Sequence, residues 1–319
     1  MNIIQLDNLV LGYCCINTIL RERQNKDGSK GIFCSRSCRL DTIKKNGVEY
    51  SYQLAFKNLE DLITILKWNN IKRIYNYRMS SDMFPFSSHL EYYQEYDWEQ
   101  FRPILERIGR IAKKYNIRLT FHPGQYNVIA SHNESTVIKS IIEIDIHAKI
   151  MDMMKLPKSS IIVIHGGSKN GGKEKALGRF KENFKRLSDA SQKRLVIENC
   201  EMMYSIEDLL PLSNELEIPI VVDSHHHNIN SGTQPFADLI KRVLIIWNKR
   251  GIEPIFHVSE SRIGITNEDS MIKRRAHSDY VNKIPKEFLD ITKDTRLYID
   301  IEAKCKELAV LALYKKYSI

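Results

Sequence analysis

The sequence has 319 residues, of which 43% are hydrophobic and 27% are charged, and its formal net charge is +9. This composition excludes an intrinsically disordered chain and is typical of a folded globular protein. Its longest apolar runs fall well short of the roughly 20 residues that a membrane-spanning helix needs, so we expect no membrane partner. The excess of Lys and Arg favours a polyanionic partner, and nucleic acid is the first candidate.

The ends and the cysteines of the chain indicate its compartment. The amino terminus carries Asp7 and no basic segment ahead of an apolar stretch, so the sequence predicts no signal peptide. The six cysteines do not show the spacing of a disulfide framework and are expected to be reduced thiols. We therefore expect a soluble intracellular protein.

Short apolar runs alternate along the whole chain with longer segments of helical period. The segments predicted as strands are, in chain order, 9–17, 71–79, 118–121, 161–164, 195–197, 218–222, 254–256 and 297–301. The segments predicted as helices are 54–66, 98–115, 137–151, 173–186, 206–216, 236–249 and 307–317. Strands that alternate with helices pair in parallel, which predicts an α/β fold.

The number of strands selects one architecture. Eight strand–helix units in roughly 300 residues match a single (β/α)8 TIM barrel, whose functional groups lie at the carboxyl ends of the strands. We therefore predict one barrel domain over residues 1–319. The alternative is an open doubly wound sheet, which would need a crevice at a switch point of the strand order. The sequence has no Gly-rich phosphate loop to accompany such a crevice, so the barrel is favoured.

The residues that terminate the predicted strands are rich in metal ligands. They are Asn17, Ser81, His122, His165, Glu198, Asp223 with His226, His257 and Glu302. Taken singly, such a histidine is more often structural and such a glutamate is more often a helix cap. Independent structural residues have no reason to follow successive strands at the same end, however, and a barrel would gather that end at one rim. We interpret the set as metal-binding and leave His225 and His227 in a solvated turn.

The ligand types indicate the chemistry of this predicted centre. Imidazoles and carboxylates without a thiolate suit zinc, manganese or ferrous iron better than magnesium alone. Four histidines and three carboxylates are too many ligands for one ion, which predicts a cluster of two or three divalent ions. Ions about 3.5–4 Å apart activate water and stabilise the leaving oxygen in phosphoryl displacement. Together with the basic charge, this predicts hydrolysis of a nucleic-acid phosphodiester.

Longer motifs run through nearly the whole chain and resemble those of a known family. They are Leu11-Gly12-Tyr13 with Asn17, Ser37-Cys38-Arg39-Leu40, Tyr77-Arg78-Met79-Ser80-Ser81-Asp82, His122-Pro123-Gly124-Gln125-Tyr126, Val163-Ile164-His165, Glu198-Asn199, Asp223-Ser224-His225-His226, His277-Ser278-Asp279-Tyr280 and Glu302-Ala303-Lys304. In these motifs the chain resembles the UV damage endonucleases, DNA-repair enzymes that nick the strand on the 5′ side of a lesion. The resemblance implies a barrel related to that of the endonuclease-four-type apurinic-site nucleases.

The resemblance implies a set of metal ligands and catalytic residues. Matched position by position, the ligands are His122, His165, Glu198, Asp223, His226, His257, His277 and Glu302. His277 is implied by the resemblance alone, and Asp279 is a further candidate ligand. The residues implied to carry the catalysis are Glu198, His165 and Asp223. The cofactors implied are divalent metal ions, manganese first, with zinc and ferrous iron as alternatives.

The resemblance also implies a lesion-binding site for damaged double-stranded DNA. Gln125 and Tyr126 correspond to the family's lesion probe, and Tyr13 and Asn17 correspond to residues that line its pocket. An amide and an aromatic ring can replace the stacking that is lost when nucleotides are extruded, which costs a few kcal/mol. Without the resemblance, Gln125 and Tyr126 would be interpreted as an ordinary β-turn. We expect the protein to act as a monomer.

One position departs from the family pattern, and three other functions compete. The family usually has a lysine, thought to be carboxylated and close to the metals, where this chain has Ile255, so the metal stoichiometry is open at that point. An apurinic-site endonuclease would use the same ligands with a different pocket. A metal-dependent sugar isomerase could share the barrel, although neutral sugars need no basic protein. A non-enzymatic DNA-damage binder would not need so complete a set of ligands.

Overall fold

The fold is described by a computed structural model that covers residues 7–22 and 31–318. The strands are β1 Leu9–Cys14, β2 Asn76–Met79, β3 Arg118–Phe121, β4 Ile162–His165, β5 Leu195–Glu198, β6 Ile220–Val221, β7 Ile255–Val258 and β8 Leu297–Ile301. Helices lie between successive strands. The paired strands run parallel, which confirms the predicted (β/α)8 barrel class.

The helices range from four to 23 residues. They are α1 Thr18–Glu22, α2 Leu40–Asn46, α3 Glu49–Ile71, α4 Arg102–Lys114, α5 Glu134–Met153, α6 Lys173–Phe184, α7 Asp189–Arg194, α8 Ile206–Leu216, α9 Ser224–Ile229, α10 Phe236–Arg250, α11 Met271–Arg274, α12 Lys286–Ile291 and α13 Glu307–Tyr317. Short 3₁₀ helices cover Ser81–Met83 and Trp98–Phe101. Among the described helices, none combines the length and apolar character that crossing a bilayer requires.

Two strands are shorter in the structure than predicted from the sequence. Ile71 is the last residue of α3 and is 74% exposed, so the second strand begins only at Asn76. The first strand ends at Cys14 because Cys15 has a φ of +66°, which no strand residue adopts. Elsewhere the predicted segments match to within a few residues, and helices α8 and α13 have the predicted ends.

The chain divides into two compact units. The C-terminal unit comprises Met1–Cys14 with Val196–Ile319, and the N-terminal unit comprises Cys15–Leu195. The prediction of one domain over residues 1–319 stays a prediction.

The C-terminal unit is built on a run of neighbouring strands. β1 pairs with β8 from Leu9 opposite Leu297, and β8 pairs with β7, where His257 lies opposite Asp300. A bridge between Asp223 and His257 links the end of β6 to β7, and β6 pairs with β5. These strands are almost wholly buried, as expected for parallel strands covered by helices. The register therefore aligns the carboxyl ends of four strands, from β5 to β8.

The N-terminal unit contains β2, β3 and β4 in parallel pairing. Its core holds a group of packed aromatic rings, namely Tyr52, Phe84, Tyr96, Trp98 and Phe101. The buried Arg194 at the end of α7 pairs with Asp152 of α5 at 2.8 Å. Its guanidinium also donates to the backbone carbonyls of Leu156, Pro157 and Ser160. This side chain therefore fixes the turn that leads from α5 into β4.

Candidate metal centre

Four of the predicted ligands form one cluster in the C-terminal unit. Donor atoms of Glu198, Asp223, His257 and Glu302 all lie within 4.8 Å of one another, and we call these four residues the acidic cluster. Glu198 ends β5, Asp223 follows β6, His257 lies in β7 and Glu302 follows β8. Each strand thus contributes one ligand from its carboxyl end, which is where a (β/α)8 fold positions reactive groups.

Hydrogen bonds from the Asn199 side chain and from the backbone hold the strand ends in this register. The Asn199 side chain donates from Nδ2 to the Asp223 carbonyl at 3.1 Å and accepts from the Asp223 amide at 2.9 Å. The His257 amide donates to the carbonyl of Val222 at 2.9 Å. Asn199 is fully buried, so its amide replaces the ladder that the two-residue strand β6 is too short to provide.

His257 lies between carboxylates on both sides of its ring. Its Nδ1 lies 3.0 Å from Glu198 Oε1 and 3.3 Å from Glu302 Oε1, and its Nε2 lies 3.6 Å from Asp300 Oδ2. Burial opposes a charged ring here, but the charges of Glu198, Glu302 and Asp300 outweigh it and raise the pKa of His257 to about 9. Without a bound ion the imidazole is therefore protonated at neutral pH and offsets part of the negative charge.

One carboxylate oxygen of Asp223 has no hydrogen-bond partner among the residues that the structure describes. Oδ1 accepts the amide of His226 at 2.7 Å, which makes Asp223 the N-cap of α9. Oδ2 is buried and accepts no hydrogen bond from the described residues. Burial raises the pKa of this carboxyl, and the neighbouring charges of Glu198 and Glu302 raise it further. A buried carboxylate oxygen of this kind is costly unless a cation satisfies it, so the acidic cluster fits a divalent metal ion.

His226, on the first turn of α9, presents its second nitrogen to another carboxylate. Its Nδ1 lies 3.0 Å from the carbonyl of Asn199 and donates to it. Nε2 lies 3.6 Å from Glu201 Oε2, and Glu201 also forms an ion pair with Arg275. Burial lowers the pKa of His226, but Asp223, Glu198 and Glu201 prevail and raise it to about 9.

His277, the ligand implied only by family resemblance, lies beside the cluster. Its Nδ1 is 3.8 Å from Glu302 Oε2, and its backbone bridges to Ser261. The imidazole of His225 packs against it with ring centroids 5.9 Å apart. Asp279, the further candidate, is exposed, and its side chain lies outside the acidic cluster.

The prediction that His225 and His227 lie in a solvated turn is wrong. Both belong to α9 and are less than 10% exposed. The ring of His227 stacks on Phe236 with centroids 4.1 Å apart. Burial lowers the pKa of His225 to about 4, helped by the charges of His277 and His226. The helix α9 begins directly after Asp223, so the polar run that was predicted as a loop is helical, and His225 and His227 are buried in it.

The other two predicted ligands lie together in the N-terminal unit. His122 follows β3 and His165 ends β4, and their ring centroids are 5.1 Å apart. His122 Nδ1 lies 3.1 Å from the carbonyl of Pro123, and both residues are partly exposed. Phe121 at the end of β3 pairs in parallel with Ile162 at the start of β4, so His165 lies further along the strand direction than His122. Their ligand roles stay predictions.

The predicted lesion probe forms an exposed turn. The amide of Asn127 donates to the carbonyl of Gly124 at 2.9 Å, which places Gln125 and Tyr126 at the two central positions of a β-turn. The Tyr126 ring is 74% exposed and lies over Gly124, where any Cβ would come within 2.6 Å of it. Glycine is therefore required for the ring to take this position.

The predicted pocket residues are both fully buried. Tyr13 is near the end of β1, and the Asn17 carboxamide oxygen accepts the Leu20 amide at 2.9 Å in the first turn of α1. Each side chain is thus part of the packed interior, and their roles toward DNA stay predictions.

Sequence reasoning missed two carboxylates next to the cluster. Asp300 precedes Glu302 by two residues, so both point to the same face of the strand, and this period-2 spacing was the available signal. Glu201 lies in the segment between β5 and α8, where no periodicity marks it. Its relation to His226 depends on how that segment folds back toward α9.

Comparison with known proteins places these features in a family context. A family model described as UV-endonuclease UvdE matches residues 9–319. The chain is 43% identical to a UV-damage endonuclease of Schizosaccharomyces pombe over 97% of its own length, but it spans only about half (51%) of that relative. It is 36% identical to a protein of Acanthamoeba polyphaga mimivirus named as a putative UV-damage endonuclease, covering 97% of this chain and 92% of that one. The crystal structure of SacUVDE matches with a TM-score of 0.82 and 30% identity, over 97% of this chain and 99% of that chain.

Proposed function

Because the chain belongs to the UV-endonuclease UvdE family, we propose that it is a DNA-repair endonuclease that hydrolyses a phosphodiester of damaged duplex DNA. In this proposal the cut lies on the 5′ side of a UV photoproduct, and two or three divalent ions, manganese first, take part. The observation that carries the proposal is the buried acidic cluster, which presents four donor atoms within 4.8 Å of one another in a member of this family.

The acidic cluster would hold the ion that serves the reaction. Its three carboxylates and one imidazole are the mixed donors that manganese, zinc and ferrous iron accept. A divalent ion held by these residues would activate water at neutral pH and would stabilise negative charge on the phosphoryl oxygens. Ile255 is fully buried in β7 and offers no donor atom, so in this chain the cluster must provide the ligands on that side without a lysine.

The chain's own residues orient the donors. Asp300 Oδ2 lies 3.6 Å from Nε2 of His257; with the remaining proton on Nε2, the Nδ1 lone pair would be directed toward Glu198 and Glu302 and would be available to an ion. Carboxylate partners of this kind fix the tautomer of a metal-binding histidine and make it a stronger donor. Asn199 holds His226 in the complementary tautomer through its backbone carbonyl.

Three further roles rest on the sequence and on the family. We propose His122 and His165 as additional metal ligands, and Glu198, Asp223 and His165 as the residues that carry the catalysis. The exposed ring of Tyr126, with Gln125 beside it, is proposed to insert next to the lesion and replace lost stacking.

A cleavage assay with three substrates tests the proposal. Purified protein with manganese is incubated with UV-irradiated, abasic and undamaged duplexes that carry the same sequence. We expect a nick in the irradiated duplex that leaves a 3′-hydroxyl and a 5′-phosphate. Cleavage of abasic DNA alone would replace the proposal with an apurinic-site endonuclease, and sugar epimerisation or isomerisation without nicking would replace it with an isomerase.

A further inference from the structure

A groove opens next to the acidic cluster in the same unit. It encloses about 420 Å³ and is lined by Arg262, Ile263, Ser278, Asp279, Tyr280, Asn282 and Lys304. That volume lies within the range of roughly 300–1,000 Å³ typical of ligand sites. None of these residues belongs to the acidic cluster, and the family resemblance gives a role only to Asp279.

The floor of the groove is fixed to the strands that carry the ligands. The Ser278 amide donates to the Glu260 carbonyl at 2.8 Å, and the Lys304 amide donates to the Ser278 carbonyl at 3.0 Å. The Glu260 carboxylate also accepts the backbone amides of Asn282 and Lys283. His277 precedes Ser278 by one residue, and Glu302 precedes Lys304 by two. The groove therefore lies next to the proposed metal site.

A tight turn presents an apolar side chain at the rim. The Ile265 amide donates to the Arg262 carbonyl at 3.2 Å, and Gly264 has a φ of +85°, the pattern of a type II turn with glycine at its third position. Ile263 occupies the second position and is 95% exposed. Its side chain therefore offers apolar surface at the rim of the groove, within reach of a ligand bound there.

The groove combines this apolar tip with positive charge and an aromatic ring. Arg262 and Lys304 are exposed, and neither forms an ion pair with any residue in the described part of the chain. Tyr280 is 44% exposed. Asp279 is the one acidic side chain of the lining, which leaves a net charge of +1. Unpaired cations beside exposed ring and aliphatic surface are what a nucleic-acid strand requires, for phosphates and for bases respectively.

We propose that this groove is a nucleotide subsite for the DNA strand that passes over the acidic cluster. Arg262 and Lys304 bind phosphates that flank the scissile phosphodiester, while Ile263 and Tyr280 contact the adjoining base or sugar. The subsite rests on the proposed function, because it requires a DNA strand at the cluster. The subsite would help to determine where the strand is cut. Phosphates bound by Arg262 and Lys304 would fix the register of the strand and so select the phosphodiester that lies at the acidic cluster.

Binding measurements on charge variants test the subsite. The Arg262→Ala/Lys304→Ala double variant is compared with wild type by fluorescence anisotropy on irradiated duplex, in EDTA so that no cleavage occurs. We expect affinity to fall roughly five- to thirtyfold and the slope of log affinity against log salt to decrease by about two. Arg296→Ala is the matched control, because Arg296 is exposed at the opposite end of β8.

A substrate with neutral linkages locates the contact. Single methylphosphonates are placed at successive positions on both sides of the incision site. One or two positions should weaken binding by wild type but not by the double variant. If every neutral linkage affects both proteins equally, the cations act at long range and the subsite is wrong. If the double variant binds and nicks as Arg296→Ala does, the subsite is also wrong while the proposed function stands. Failure of wild type to nick irradiated DNA would instead refute the proposed function.

Discussion

Ion binding at the acidic cluster should release protons, and its affinity should therefore rise with pH. In the ion-free protein, the pKa of His257 is about 9 because carboxylates surround the ring. A metal ion needs the neutral imidazole as a ligand, so it must displace this proton. The perturbation is thus the addition of manganese at a series of pH values.

The magnitude follows from the pKa. At pH 7 a group with a pKa of about 9 is protonated in roughly 99% of molecules, and removing that proton costs about 2.7 kcal/mol, or a factor of ~100 in apparent affinity. Raising the pH from 7 to 8 should therefore increase the apparent affinity about tenfold for each imidazole that loses a proton. If His226, whose pKa is also about 9, becomes a ligand as well, the increase approaches ~100-fold.

The free energy of unfolding of the ion-free protein should fall as the pH rises, whereas the affinity for the ion should increase. The folded pKa values of His257 and His226 lie above the ordinary value of 6.5. Their contribution to stability is therefore complete below pH 6.5 and is lost as the pH rises through about 9. The rise in melting temperature on adding manganese, relative to EDTA, should grow over the same range.

Calorimetric titration measures the proton release directly. Manganese is titrated into the metal-free protein at pH 7 in buffers of different ionisation enthalpy, and the slope of the observed enthalpy gives the protons released per ion. We expect about one proton for an ion held by the acidic cluster alone and about two if His226 also binds. A slope of zero, together with an affinity that is constant from pH 6.5 to 8.5, would refute the account of His257.

Three further variants test separate parts of the structure. Glu198→Gln should abolish nicking of irradiated DNA while the dissociation constant for the duplex stays within about twofold; unchanged turnover in a gel assay would remove Glu198 from the centre. Tyr126→Ala should weaken binding to damaged duplex more than to intact duplex in anisotropy titrations, whereas equal losses would make the ring a general contact. Gly109→Ala should destabilise the protein by about 1–3 kcal/mol in urea unfolding, because its Cβ would lie 1.7 Å from the Met154 carbonyl oxygen. Gly178→Ala, in a helix with open space around it, is the matched control and should stabilise by roughly 0.5–1 kcal/mol.

The strands and their terminal residues were predictable because buried parallel strands appear in the sequence as uninterrupted apolar runs. Runs such as 218–222 contain no polar residue, so the first polar side chains after them mark the strand end. The same rule predicts Glu198, Asp223, His257 and Glu302 from the sequence, and the structure brings these four residues together.

What the sequence could not provide depends on packing between distant segments. His277 lies in the irregular segment after β7, and only family resemblance pointed to it. Glu201 meets His226 through the fold of the segment after β5, which no local pattern encodes. His225 and His227 looked solvated because imidazoles are polar, but their burial is decided by neighbours such as Phe236.

The dual use of Asp223 constrains the length of that side chain. One oxygen accepts the amide at the start of α9, and the other is buried and accepts no hydrogen bond from the described residues. A glutamate would keep the charge, but its additional methylene would force the carboxylate to abandon one partner for the other. A glutamate at position 223 would therefore weaken either the proposed metal donor or the cap of the helix that carries His226, the latter by about 0.5–2 kcal/mol.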